Sequence, residues 1–61
     1  MLKNDYAIAW LNKGITLNKL QKHEEALDCY RAVIKIEPSN AKAFSETGVT
    51  LIELKQYDEA L

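Results

Sequence analysis

Sixty-one residues leave room for one small domain, whose core gives only a thin margin over conformational entropy. Eight Lys and Arg against nine Asp and Glu, a net charge of −1, exclude the basic stripe of a nucleic-acid binder, and no apolar run approaches a membrane span. One cysteine, Cys29, and one histidine, His23, allow neither an intrachain disulfide nor a metal-ligand cluster.

Extra stability is therefore expected from helix packing, self-association or a neighbouring chain. Met1 to Asp5 lacks the apolar stretch of a secretory signal. With the unpaired cysteine, this sets the expectation of a cytoplasmic protein with no cofactor, nucleic-acid or membrane partner.

From Asp5 to about Leu20, Ala7, Trp10, Gly14, Leu17 and Leu20 recur at three- and four-residue steps and mark one apolar face of a helix. A second helix is expected from Glu24 to about Ile36, with Ala26, Leu27, Tyr30, Val33 and Ile34 on its apolar face. Glu24, Glu25 and Asp28 place acid at the positive end of its dipole. Pro38 ends it by forcing the preceding residue out of the α region. Asn40 or Ser39 then caps a third helix, about Ala41 to Leu54. Tyr57 to Leu61 reads as the first turn of a fourth. Gly14 and Ala26, small residues on facing helices, are expected to let the backbones approach, with Trp10 and Tyr30 packed beside them. On that reading Gly14→Leu overpacks the contact and destabilises the chain.

Shifting the sequence by 34 residues aligns 7–27 with 41–61, and nine of these 21 positions are identical. They include Gly14/Gly48, Leu17/Leu51, Leu20/Leu54 and Ala26/Ala60, with Trp10/Phe44 and His23/Tyr57 conservative. The period, with Trp10, Gly14, Leu17, Ala26, Tyr30 and Pro38 at its fixed points, resembles the tetratricopeptide repeat. Lys13, Leu17 and Val33 depart from the family's preferred residues. The resemblance implies an all-α fold of antiparallel helix–turn–helix units in a right-handed superhelix. About one and a half repeats are expected: an N-terminal leader and helix start over 1–6, a complete repeat over 7–40 and a truncated copy over 41–61.

The first helix also carries a second apolar stripe. Ile8, Leu11 and Ile15 fall within about 60° of one another, opposite Trp10, Leu17 and Leu20. In the family the first helix of each repeat lines a concave groove. The resemblance thus implies that Ile8, Leu11, Asn12, Ile15, Asn18 and Lys19 line it in the first copy. Lys42, Ser45, Glu46, Val49, Ile52 and Glu53 are their counterparts in the second. The floor would be apolar, from Leu11, Ile15, Val49 and Ile52. Chaperone-binding members hold a C-terminal carboxylate with Lys and Asn, but the matching positions here are Leu11, Ile15 and Glu46, which cannot do so.

No catalytic constellation is expected. His23 reads as a turn-packing residue, Cys29 as a partly exposed bystander thiol, and Trp10 as core rather than a stacking platform. The leading function is a scaffold that binds a peptide or helical segment of a partner protein. One alternative is a structural repeat that completes its packing by self-association. Another is a non-catalytic recruiting arm of a larger enzyme. Because the second copy stops before its second helix, the favoured expectation is a stretch of a longer array.

Overall fold

The apolar spacing along the chain is realised as three helices. The computed structural model describes the backbone of residues 3–60 and the side chains of residues 6–56. Helix α1 spans Lys3–Lys19, α2 spans His23–Ile36 and α3 spans Ala41–Ala60. α2 packs back against α1 and, on its other side, against α3; α1 and α3 run side by side with little direct contact. The outcome is an elongated slab of about 44 × 20 × 12 Å.

The first connection is set by backbone hydrogen bonding. Lys22 N donates to Leu17 O at 2.9 Å and Gln21 N to Asn18 O at 3.1 Å, with Gln21 in the left-handed region at φ 69°. This paired closure satisfies the last carbonyls of α1, and glycine would be the usual residue at its left-handed position. Holding Gln21 there costs about 1 kcal/mol, which the packing of α2 on α1 must offset.

The second connection follows the expected chemistry. Glu37, immediately before Pro38, leaves the helix at φ −132° and ψ 86° while its amide still reaches Val33 O at 2.7 Å. Of the two possible caps, Asn40 is the one used. Its Oδ1 accepts from Ala43 N at 2.9 Å, and its Nδ2 donates to Glu37 Oε1 at 3.1 Å. The hydroxyl of Thr47 is turned inward along α3, donating to Ala43 O at 2.7 Å.

α2 supplies most of the core. Ala26, Tyr30 and Val33 are fully buried, and Leu27 and Cys29 nearly so. One cluster joins Ala7, Val33 and Ala43, with Leu11, Ile34 and Ile36 packed on it. The other joins Ala26, Leu27 and Tyr30, covered by Leu11, Ile15, Leu17 and Leu54.

Gly14 makes room for α2, and the atoms nearest to its missing side chain belong to Tyr30 and Cys29 rather than to the expected Ala26. A β-carbon at Gly14 would lie 2.6 Å from Tyr30 Cε1 and 3.1 Å from Cys29 Cβ, so the missing side chain makes room for the Tyr30 ring. The same contact explains why Cys29 is buried rather than partly exposed: it lies over Gly14.

Three further expectations are corrected. Trp10 is 38% exposed rather than core. The reason lies in the repeat: α2 packs on α3, where Ala43, Thr47 and Thr50 are buried or half-buried, whereas no described helix packs on the matching face of α1, where their counterparts Ala9, Lys13 and Thr16 are exposed. Leu20 sits in the turn and is exposed, while its counterpart Leu54 packs on the Ala26–Tyr30 cluster. The start of a fourth helix expected at Tyr57 does not appear, because α3 continues unbroken to Ala60. Lys55 occupies the place of Gln21 but stays helical, since no described helix packs back on α3 to offset a left-handed residue. Leu61 and the side chains of Asp58 and Glu59 lie outside the described residues.

Candidate protein-binding surface

The apolar stripe of α1 divides into two parts. Leu11 is half-buried and touches both core clusters, and Ile15 packs on the Ala26–Leu27–Tyr30 cluster. Both are largely committed to holding the helices together. Ile8, at 52% exposure, remains open. On α3, Val49 and Ile52 are exposed at 51% and 60%. Each of these three side chains could lose a substantial apolar area to a partner.

Polar residues join and border the apolar ones. Asn18, on α1, donates from Nδ2 to Glu53 Oε1 on α3 at 3.1 Å. Its Oδ1 also meets His23 Nδ1, and His23 Nε2 lies 3.3 Å from Gln21 Oε1. His23 is accordingly buried in the first connection, as a packing residue of the turn. Asn18 thus ties that connection to α3 and serves the fold before any ligand. Lys42 Nζ lies 3.9 Å from Glu46 Oε2, a long contact from an exposed lysine and of little energetic weight. Asn12, Lys19 and Ser45 are exposed, while Glu46 and Glu53 are half-buried.

Sequence reading missed one apolar surface. Tyr6, Ala9, Trp10 and Lys13 line a cleft on α1, with Lys13 Nζ 5.3 Å from the Trp10 ring centroid in a cation–π arrangement. Its signal in the sequence is Tyr6 four residues before Trp10, with a lysine one turn further along. A second cleft, between α1 and α2, is lined by Trp10, Lys13, Leu17, Glu25, Asp28 and Cys29.

Reactive chemistry is not developed at these surfaces. Burial pushes the Cys29 thiol above its ordinary 9.0, outweighing the opposing pull of Lys13. It remains a thiol near neutral pH, the less nucleophilic form. Burial, and secondarily Glu46, raises the Tyr30 phenol above 10.0. Among the described residues, no group of His, Cys, Asp and Glu is placed to hold a metal ion, and no helix is long and apolar enough to cross a membrane.

A pair of helices packed around a glycine, followed by a third helix one period later, is a specific arrangement. Tetratricopeptide repeat models match residues 7–40 and 29–61. The chain belongs to the tetratricopeptide repeat family. A tetratricopeptide repeat is a protein-interaction repeat. It is similar to the peroxisomal targeting signal receptor of Candida albicans (strain SC5314 / ATCC MYA-2876), with 32% identity over 59 residues. That match covers 97% of this chain and 10% of the receptor, so the chain spans about a tenth of that protein's length. No solved structure matches the tetratricopeptide chain.

Proposed function

We propose that this repeat holds an extended or helical segment of a partner protein on the face shared by α1 and α3. The observation that carries the reading is the exposure of Ile8, Val49 and Ile52 on those two helices. Asn12, Ser45, Lys19 and Lys42 stand exposed around them. Similarity to a protein named as a targeting signal receptor supports a peptide-sized ligand.

The electrostatics favour an apolar ligand. Lys19 and Lys42 are balanced by Glu46 and Glu53, so the face offers no net charge to steer or hold an ionic partner. Covering three half-exposed aliphatic side chains contributes about 1 kcal/mol each. These contacts alone fall short of the about 4 kcal/mol that a millimolar complex requires, so a partner must add contacts of its own to the surrounding polar residues. Affinity should change little between low and high salt.

Leu11 is a poor place to test the idea because it belongs to the core. Val49→Glu is the direct test, made with peptides selected against the wild-type chain from a display library. The variant should bind them at least tenfold more weakly, with its melting temperature unchanged within a degree or two. Equal binding by Val49→Glu would remove the α1–α3 face from consideration.

A further inference from the structure

The open apolar residues of the α1–α3 face do not lie opposite one another, and three contacts fix their offset. Ala7 and Ala43 meet in one core cluster, Leu17 and Leu54 pack on the other, and Asn18 Nδ2 reaches Glu53 Oε1 at 3.1 Å. α1 and α3 therefore run in the same direction, each α1 residue level with the one about 35 positions later on α3. On that register Ile8 stands level with Ala43. Val49 and Ile52 lie six and nine residues further along α3, about 9 and 14 Å at 1.5 Å per residue. With helix axes about 8–10 Å apart, the two apolar points are separated by about 12–17 Å, on a diagonal across the face. Midway along it the exposed residues are polar, Asn12 on α1 and Ser45 on α3. Between them lies Glu46, seven residues before Glu53 and hence on the same side of α3, which faces α1. Its side chain is only 25% exposed, yet Lys42 Nζ approaches it no closer than 3.9 Å. The carboxylate has room for a nearer cation.

We propose that this face takes an extended segment of a separate protein, with two apolar residues four positions apart and a lysine or arginine midway between them. The inference rests on the α1–α3 reading and specifies its ligand. Side chains two apart in an extended strand share a face, and four residues span about 13 Å, which matches the diagonal. Two residues span about 7 Å and fall short; six span about 20 Å and overshoot. A helix covers about 13 Å only in eight or nine residues, and its continuous apolar stripe would lie on Asn12, Ser45 and Glu46. The extended segment instead places backbone N–H and C=O groups beside Asn12 and Ser45. One apolar anchor covers Ile8, the other covers Val49 and Ile52, and the central side chain faces Glu46. There a cation is attracted and an acidic residue repelled. Lys42 is itself exposed and can turn toward solvent as the new cation arrives. The face stays near neutral overall, so this cation sets register and selectivity rather than the rate of encounter.

The probes are capped nonapeptides of serine and glycine that carry two leucines four apart with a lysine midway. They are titrated into the whole isotopically labelled chain and followed by amide shifts. The lysine peptide should bind saturably and shift Ile8, Glu46, Val49 and Ile52. Moving the leucines to two apart, or replacing the lysine by glutamate, should each weaken binding at least fivefold. Glu46→Gln should bring the lysine and glutamate peptides within twofold of each other, with the melting temperature of the chain unchanged. Val49→Glu should weaken every peptide, which tests the face itself. Binding that Val49→Glu abolishes, but that ignores leucine spacing and Glu46→Gln, would leave the face standing and overturn the proposal. Absence of saturable binding by the lysine peptide also overturns it, whatever display-selected peptides do. So does sedimentation showing a dimer that Val49→Glu dissociates, which would give the face to a second copy.

Discussion

The pair Gly14 and Gly48 shows how one residue type at equivalent positions can carry opposite consequences. In both places a mid-helix glycine costs about 1 kcal/mol relative to alanine. At Gly14 the Tyr30 ring fills the space, so Gly14→Ala must displace a fully buried aromatic. We expect a net loss of about 1–2 kcal/mol in chemical denaturation. At Gly48 the space is empty, and Gly48→Ala should raise stability by about 1 kcal/mol. Equal and like-signed effects would contradict the assigned packing. The importance of Gly14 was legible from its spacing, but its partner was not. Cys29 and Tyr30 differ by one position on a helical wheel, so the crossing geometry, rather than sequence periodicity, decides which side chain covers the gap. Trp10 was misjudged for a related reason: its family position implies burial, yet no described helix covers the adjoining face of α1.

Within single elements, the connections were more legible than the helix lengths. Pro38 and Asn40 act through local chemistry, and both sit where local chemistry placed them. The left-handed Gln21 was invisible, because glutamine carries no preference for that conformation and the turn is imposed by the packing of α2. Gln21→Gly should therefore stabilise the chain by up to about 1 kcal/mol in thermal or denaturant unfolding. The gain is reduced by whatever the Gln21 contact with His23 contributes. A loss of stability would mean that the side-chain contact outweighs the backbone cost. The same reasoning accounts for α3, in which Lys55 remains helical where Gln21 turns. Equivalent positions in the repeat do not make a turn unless a following helix packs back.

For the whole molecule, the buried thiol and phenol of α2 connect folding to pH. Both titrate higher in the folded chain than their ordinary 9.0 and 10.0, chiefly through burial. In each case the unfolded chain releases its proton first as pH rises. Their contribution to stability is complete below the ordinary values and is lost as pH climbs through the raised ones. Melting temperature should hold steady from pH 7 to the upper eights and then fall. Cys29→Ala should delay the onset by about one unit, from near 9.0 toward 10.0. An onset unmoved by Cys29→Ala would show that the thiol is not responsible. The all-α fold could be read from a 34-residue period because the same spacing of small and apolar residues recurs in both copies. The binding stripe was harder to read. Periodicity groups Ile8, Leu11 and Ile15 on one face, but only three-dimensional packing separates the structural Leu11 and Ile15 from the open Ile8.

The claim that α1 and α3 together hold a partner is tested most directly by amide chemical-shift mapping of the isotopically labelled chain with a display-selected peptide. The account predicts saturable shifts centred on Ile8, Asn12, Val49 and Ile52, drawn from both helices. Shifts confined to Tyr6, Ala9, Trp10 and Lys13, with Val49 and Ile52 unmoved, would contradict it.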